Sequence, residues 1–248
     1  MATDIAFALG VLAVLGKRVP SSLKVFLTAL AIIDDLGAVL IIAIFYTREI
    51  SWLSLGAGGL IVSALIAVNH IGVLKAWVYA VLGCALWLSF LRSGVHPAVA
   101  GVLTALAVPT QSGLLQRLEH VLHPWVSYAI MPLFALANAG VSVWNGDSLS
   151  LGHPVCLGVL LGLVLGKQIG ITFFSYVSVR FGWAHLPTGV RWKQIYGIAA
   201  LGGIGFTMSM FISALAFPAG LLLTEAKLGI LVASVVSGAV GCLVLWRR

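Results

Sequence analysis

The feature that most constrains this chain is a pair of adjacent aspartates, Asp34 and Asp35, inside an apolar stretch from Phe26 to Phe45. A stretch of ~20 apolar residues is long enough to cross the ~30 Å hydrocarbon core of a bilayer as one helix. A single acid near the centre of such a helix costs at least ~2.5 to 3.5 kcal/mol on insertion scales, and two neighbouring acids also repel each other. A membrane helix that keeps both is therefore expected to use them.

The composition predicts an all-α, polytopic bundle of membrane helices. Hydrophobic residues make up 61% of the 248 residues and charged residues only 8%, against about 25% charged residues in a soluble domain. The net charge of +7 does not indicate nucleic-acid binding, because the basic residues are scattered singly in loops and not clustered on one face. The three cysteines lie within apolar runs, so no disulfide framework is predicted.

The apolar stretches predict one half-span and eight spans within a single transmembrane domain, 1–248. The half-span is 3–16, whose ~14 residues reach only about 21 Å as a helix. An amphipathic segment at the membrane surface is predicted at 111–123. The predicted full spans are 25–46, 52–68, 74–91, 94–108, 124–143, 155–179, 195–217 and 228–246.

The basic residues of the loops predict the orientation. When the loops are numbered alternately, one set contains Lys17, Arg18, Lys24, Lys75, Arg117, Arg180, Arg191, Lys193, Arg247 and Arg248, and the other contains Arg48, Arg92 and Lys227. The positive-inside rule places the richer set in the cytoplasm. We therefore expect a multi-pass membrane protein with a cytoplasmic C-terminus.

Asp34 and Asp35 point in directions about 100° apart around their helix, so one can face a cavity while the other meets a partner. Lys167 is the only basic residue deep inside a predicted span. Pairing it with an aspartate lowers the cost of burying both charges. The alternative reading is a static charge cluster that joins helices.

A free carboxylate in such a helix could exchange ions. Carboxylate, hydroxyl and carbonyl oxygens suit hard cations, and a carboxylate in a low-dielectric site beside another acid also holds a proton more tightly. A proton and a monovalent cation would then compete for one group. If two carboxylates release protons for one monovalent cation, the exchange moves net charge and the membrane potential drives it.

No enzymatic activity is predicted from the aspartate pair. An intramembrane aspartyl protease also needs two membrane aspartates, but on different helices that face each other. Adjacent residues on one helix do not meet that geometry.

Two stretches predict discontinuous helices, which place half-helix ends at mid-membrane in transporters. Gly202, Gly203 and Gly205 interrupt the predicted span 195–217, and Thr3-Asp4 stands at the head of the half-span. Asp4 would then lie near helix ends, where its charge compensates their dipoles. The alternative for the glycines is close packing of uninterrupted helices.

Several polar residues near the predicted membrane surface could respond to pH. Glu119, His120 and His123 lie on the amphipathic segment, and His96 begins a short span. Histidines titrate near neutral pH. The alternative is that these are ordinary solvated side chains.

Seven stretches of the chain resemble the NhaA-type sodium/proton antiporters. These stretches are Ala2–Gly10, Ala29–Gly37, Arg92–Pro97, Arg117–Trp125, Pro132–Gly140, Gly166–Lys167 and Gly203–Ser209. The resemblance implies an inverted-repeat fold with discontinuous helices. It also implies an exchanger of the bacterial inner membrane that expels sodium or lithium, takes in protons and is active at alkaline pH. The resemblance implies a homodimer, and it implies no cofactor.

The resemblance also implies roles for particular residues. Asp35 corresponds to the main cation and proton carboxylate, so that Asp35 and Asp34 would be the sodium ligands together with Thr3. Asp34 is the neighbour that pairs with Lys167, and Thr3 and Asp4 form the first helix break. The residues implied in the pH response are Glu119, His96 and His123.

The chain departs from the family pattern before the first helix break. Family members usually have about twelve spans, and about the first three and a half have no counterpart in these 248 residues. An alternative function is therefore a membrane fragment, or a partner subunit, that retains the motif without transporting ions.

Overall fold

The computed structural model describes residues 2–16, 19–45, 50–110, 112–140, 152–187 and 189–246. Within these ranges every regular element is a helix, which confirms the predicted all-α class. The elements are α1 (Ile5–Leu15), α2 (Ser21–Phe45), α3 (Trp52–His70), α4 (Ala76–Ser93), α5 (Ala98–Ala107), α6 (Leu114–Trp125), a π-helical turn (Val126–Ile130), α7 (Met131–Asn138), α8 (Pro154–Leu161), a second π-helical turn (Gly162–Gly166), α9 (Lys167–Arg180), α10 (Trp192–Leu201), α11 (Phe206–Ala216) and α12 (Leu221–Trp246).

Six helical runs of the described residues are long and apolar enough to cross a membrane. They are Ser21–Phe45, Trp52–His70, Ala76–Ser93, Leu114–Asn138, Pro154–Arg180 and Leu221–Trp246. The pair α10 and α11, bent by 49° at its break, would make a seventh. The multi-pass character predicted from composition is therefore confirmed.

Three predicted boundaries differ from the observed helices. The predicted span 94–108 forms only the ten residues of α5, about 15 Å of helix. The predicted surface segment 111–123 and span 124–143 form one continuous run, Leu114–Asn138, in which α6, with Pro124 inside it, the π-helical turn and α7 follow each other without a break. The last helix begins at Leu221 and not at 228.

Parts of the sequence predictions fall outside the described residues. Among them are the loop cations Lys17, Arg18 and Arg48, the C-terminal Arg247 and Arg248, and positions 46, 111 and 141–143 of the predicted segments. Orientation therefore stays a prediction.

The chain forms two compact units. Unit 1 comprises Met1–Leu36 and Leu133–Arg248, and unit 2 comprises Gly37–Pro132. The single transmembrane domain stays a prediction. All residues predicted for the aspartate pair and the helix breaks belong to unit 1, whereas Glu119, His96 and His123 belong to unit 2.

Unit 1 is held together by close packing of α10 and α8 on α12. A Cβ added to Gly241 of α12 would lie 3.1 Å from the carbonyl oxygen of Gly197 on α10, and one added to Gly229 would lie 2.7 Å from that of Cys156 on α8. Small residues thus allow backbone contact between helices, as is common in membranes. The main core of unit 1 comprises Ala8, Leu12, Leu15, Val19, Leu23, Leu27, Val190, Ile195, Ile198, Leu201, Ile204 and Leu245.

Unit 2 is built by α3, α4, α5 and α6 around one apolar cluster. Its buried members are Leu65, Tyr79, Leu86, Phe90, Ala100, Ala107, Val108 and Leu114. The hydroxyl of the fully buried Tyr79 donates to the carbonyl oxygen of Val73 at 3.0 Å. The phenol therefore does not leave a buried donor unpaired.

Candidate functional site

Two interrupted stretches of backbone meet in unit 1. One is the extended segment Ala2–Asp4 before α1, and the other is the break between α10 and α11. The Asp4 amide donates to the carbonyl oxygen of Ile204 at 2.6 Å, and the Thr3 hydroxyl donates to that of Gly202 at 2.7 Å. Each interruption therefore satisfies backbone groups of the other, which is required where non-helical backbone lies at membrane depth.

The glycines of the second break allow this close approach. A Cβ added to Gly203 would lie 2.6 Å from the carbonyl oxygen of Leu163, and one added to Gly205 would lie 3.1 Å from that of Ala2. A Cβ at Gly202 would lie 2.8 Å from the Ile171 side chain. No side chain fits at these positions without displacing backbone or packed atoms, so the glycines serve the contact between segments.

Asp4 lies where two helices begin. Its carboxylate accepts from the amide of Phe7 in the first turn of α1 at 3.1 Å. It also accepts from the amide of Thr207, in the first turn of α11, at 2.9 Å and from the Thr207 hydroxyl at 2.5 Å. Asp4 is fully buried. The positive ends of two helix dipoles and three hydrogen bonds compensate its charge.

Asp34 and Lys167 form the ion pair that the sequence suggested. The Lys167 ammonium contacts Asp34 Oδ2 directly and donates to the Thr3 hydroxyl at 3.3 Å. The Thr3 amide donates to the same Asp34 oxygen at 2.6 Å. Both charged side chains are mostly buried, with 26% of Asp34 and 15% of Lys167 exposed. Asp34 is thus tied to both α9 and the segment before α1.

Asp35 differs from its neighbour. Its Oδ1 atom is buried, and no hydrogen-bond partner for it is found among the described residues. The charged groups close enough to act on it are Asp34, Asp4 and Lys167. An acid with a free buried oxygen, beside an ion pair and close to polar backbone, offers a ligand to a proton or a small cation.

A π-helical turn brings Lys167 to this site and was not predicted. It spans Gly162–Gly166, immediately before Lys167, and its Leu163 carbonyl lies against Gly203 of the break. Such turns widen a helix locally and are frequent at functional sites. The two flanking glycines are the only trace of it in the sequence.

Thr207 is a second residue of the site that sequence reasoning did not select. Both its amide and its hydroxyl bind Asp4, and it is almost fully buried. The sequence did contain one indication of this role, because Thr207 carries a hydroxyl and lies two positions after Gly205, in the first turn of a half-helix.

The predicted pH-response residues lie in unit 2. Glu119 and His123 are exposed on α6. His96 is half-buried just before α5, where its Nδ1 accepts from the Ala98 amide at 3.3 Å. Burial lowers the pKa of His96 below its usual 6.5. Roles for the three in a pH response stay predictions.

Interrupted helices whose ends meet around buried charged side chains are a recurring feature of secondary-transporter folds. The chain belongs to the family described as Na+/H+ antiporter 1, whose model matches residues 1–245. This confirms the resemblance seen in the sequence.

Curated relatives are similar along nearly the whole chain. The chain is 52% identical over 258 residues to the Na(+)/H(+) antiporter NhaA of Rhodospirillum rubrum, covering 98% of this chain and 65% of that protein. It is 50% identical to the Na(+)/H(+) antiporter NhaA 1 of Klebsiella pneumoniae, covering 100% of this chain and 64% of that protein. For the NhaA 1 of Clostridium beijerinckii the identity is 49%, with coverage of 97% and 62%. The chain therefore spans a little under two thirds of the length of these relatives.

Proposed function

We propose that this chain carries the ion-exchange site of an electrogenic sodium/proton antiporter, with lithium as a second transported cation. The observation that carries the proposal is the unpartnered buried oxygen of Asp35, next to the Asp34–Lys167 pair in unit 1. The family and the printed names of the relatives support sodium and protons as the ions. The proposal is of a transporter and not of an enzyme, and it requires no cofactor.

Exchange at this site rests on competition for the same oxygens. When Asp35 is protonated, its carboxyl group is neutral and has no charge with which to hold a cation. A sodium ion that enters displaces the proton and takes the Asp35 carboxylate as a ligand, and we propose Asp34 and Thr3 as additional oxygen donors.

Lys167 links the cation to a second proton. A sodium ion near Asp34 competes with the Lys167 ammonium for the Asp34 carboxylate, because both are positive and the carboxylate is shared. The second proton then leaves Lys167 Nζ, the only group of the pair that carries one when Asp34 is ionised, and the first leaves Asp35. Two protons exchanged for one sodium ion move net charge, so the membrane potential drives the cycle.

The family and the loop charges support a proposal for the setting of this transporter. We place it in the bacterial inner membrane with the C-terminus in the cytoplasm, surrounded by lipid and assembled as a homodimer. Glu119, His96 and His123 are proposed to adjust the activity to pH from unit 2.

Everted membrane vesicles test the proposal. Vesicles containing the full chain are energised, and sodium is added while a fluorescent probe reports the proton gradient. Sodium should collapse the gradient in the wild type and not in Asp35→Asn, which keeps the shape of the side chain but cannot carry the charge. Thr28→Ala is the matched control on the same helix, because the Thr28 hydroxyl bonds only within α2, to Lys24, at 2.9 Å.

Two outcomes would contradict the proposal at different levels. A wild type that does not respond to sodium or lithium would mean that this chain does not transport and is a fragment or subunit that retains the motif. A response in Asp35→Asn equal to that of the wild type would mean that another group binds the cation.

A further inference from the structure

The helix that carries Lys167 has one face without side chains. Gly162, Gly166 and Gly170 follow one another at four-residue spacing before and after Lys167. A Cβ added to Gly162 or Gly170 would meet no heavy atom of a neighbouring described segment within 4 Å, and one added to Gly166 would meet only the Leu161 carbonyl oxygen at 3.9 Å. Described segments therefore do not pack closely on this face, and other contacts have to fix the position of Lys167.

Gln168, the next residue along the chain, makes such a contact. Its side chain leaves the helix about 100° away from that of Lys167, and only 4% of the residue is exposed. Its carboxamide oxygen accepts a hydrogen bond from the Tyr196 hydroxyl of α10 at 2.6 Å. A buried carbonyl that loses its donor is destabilised, so this bond opposes any rotation of the first turn of α9.

Tyr196 is held in place by the packing of α10. The next residue, Gly197, lies so close to α12 that a Cβ on it would be 2.7 Å from Leu245 Cγ. The preceding residue, Ile195, is buried in the main core of unit 1. The backbone of Tyr196 therefore lies between two packed residues, and its hydroxyl is a well-placed donor for Gln168.

The hydrogen bond borders a groove between α9 and α10 that has few other polar groups. Ile169, Phe173 and Trp192 are among the side chains that line this groove. Thr172, one turn after Gln168, lines it too, but its hydroxyl oxygen has no hydrogen-bond partner among the described residues. Tyr196 thus supplies the Gln168 oxygen with a donor that the neighbouring hydroxyl does not supply.

On its other side the first turn of α9 reaches the ion pair. The Lys167 ammonium contacts Asp34 directly and donates to the Thr3 hydroxyl at 3.3 Å. Asp34 is also held by the Thr3 amide, which donates to it at 2.6 Å. A rotation of the first turn of α9 would therefore move Lys167 away from a carboxylate that stays in place.

We propose that Tyr196 is a positioning residue for ion exchange. Through its hydrogen bond to Gln168 it fixes the first turn of α9, and it thereby keeps the Lys167 ammonium against Asp34. Sodium then has to displace a firmly placed ammonium, and the same placement returns the ammonium to Asp34 when sodium leaves. The inference rests on the proposed exchange at Asp35 and Asp34.

Tyr196→Phe tests the proposal in everted vesicles, because it removes the hydroxyl and keeps the ring. With Lys167 less firmly placed, sodium displaces it more easily and the ammonium returns to Asp34 less readily. The apparent KM for sodium should fall by about two- to fivefold, a part of the roughly tenfold that one hydrogen bond can contribute. The maximal rate should fall as well. A general loss of folded protein would lower the rate and leave KM unchanged.

Two further variants make the measurement specific. Tyr176→Phe removes a hydroxyl from the same pair of helices and keeps the ring contact with Trp192, whose centroid is 5.4 Å away, so it should keep the wild-type KM. Gln168→Met keeps the length of the side chain without its carbonyl, so Tyr196→Phe should shift KM no further in that background. A wild-type KM in Tyr196→Phe, or an undiminished shift in the Gln168→Met background, would overturn the proposal.

A second measurement does not depend on transport and separates this inference from the proposed function. Wild-type vesicles that do not respond to sodium would contradict the proposed function, whereas the Tm of the detergent-purified chain would still test the link to the ion pair. Tyr196→Phe should lower the Tm by roughly 2–4 °C in the wild type. In Asp34→Asn, where Lys167 has lost its ionic partner, the loss should be less than half as large. Equal losses in the two backgrounds would show that Tyr196 does not act on the pair and would overturn the inference.

Discussion

Asp4 and Asp35 are both acids within the apolar interior of unit 1, and their surroundings differ in kind. Asp4 is fully buried and accepts hydrogen bonds from two residues that begin two helices. Asp35 is only partly buried, and its Oδ1 has no hydrogen-bond partner among the described residues. The carboxylate of Asp4 is thus occupied by hydrogen bonds that stabilise the fold, whereas Asp35 has an oxygen that can still accept one.

The difference separates a structural charge from an exchangeable one. A carboxylate whose charge is already compensated by helix ends gains little from binding a cation. A carboxylate with an unpaired oxygen in a site of low polarity is stabilised by a cation or a proton. Asp34 is intermediate, because Lys167 and the Thr3 amide occupy one of its oxygens. Charge alone therefore does not distinguish the roles of the three aspartates; their partners do.

The largest effect in this comparison is expected for Asp4→Ala. The substitution leaves the buried amide and hydroxyl of Thr207 without an acceptor and removes the anion between two helix N-termini. A loss of about 3–5 kcal/mol in the free energy of unfolding follows from the unpaired donors and the lost charge. Thermal or denaturant unfolding in detergent measures it.

Asp35→Asn is the matched variant for stability. It should not lower the Tm, because no described residue gives its Oδ1 a hydrogen bond, although it should abolish exchange. If both substitutions reduced stability equally, the separation of a structural from an exchangeable acid would be wrong.

A smaller effect is expected where the glycine break meets the π-helical turn. Gly203→Ala would place a Cβ 2.6 Å from the Leu163 carbonyl oxygen, which as part of the backbone cannot move freely, and against the Ser237 hydroxyl. Overpacking of this kind costs about 1–3 kcal/mol. Because Leu163 belongs to the turn that precedes Lys167, exchange should decrease along with stability.

Gly10→Ala in α1 is the control for that substitution. Its Cβ would meet no heavy atom within 4 Å, and alanine is favoured over glycine in a helix by up to about 1 kcal/mol. Its Tm should equal or exceed that of the wild type. If the Gly203→Ala protein were as stable as Gly10→Ala, the glycine break and the π-helical turn would not need their close contact.

The sequence predicted the ionic part of the site because membranes impose simple rules on charge. A lone ammonium in a span needs a carboxylate, so Lys167 was expected to pair with one of the two aspartates, and the family resemblance implied that it is Asp34. An acid at the head of a half-helix suits a helix N-terminus, and Asp4 is found there. The cluster of Gly202, Gly203 and Gly205 indicated a helix break, because glycines have no side chain to fit where interrupted backbone packs closely.

The rest depended on packing, which one sequence does not reveal. The π-helical turn before Lys167 has no composition of its own, and its Leu163 carbonyl lies against Gly203 in another helix. Glu225 was left outside the predicted last span, 228–246, and Lys227 was counted among the loop residues. The observed helix begins at Leu221 and buries the Glu225 side chain against His153.

The smallest effect is expected for His96 in unit 2. Like Asp4, it accepts a hydrogen bond from a backbone amide at the start of a helix, but its imidazole titrates near neutral pH. Burial lowers the pKa of His96, and the neutral Nδ1 accepts from the Ala98 amide. Between the lowered pKa and 6.5 the unfolded chain binds more protons than the folded one, so stability is lost as the pH falls. His96→Asn keeps a side-chain acceptor for the Ala98 amide without the titration.

Unfolding profiles between pH 7 and pH 5 measure this contribution. The wild-type Tm should fall toward low pH by up to about 2 °C more than that of His96→Asn, because a partly buried histidine contributes little in a chain of this length. His120→Asn, which removes an exposed histidine on α6, should leave the wild-type profile unchanged. Identical profiles for wild type and His96→Asn would show that protonation of His96 does not disturb the start of α5.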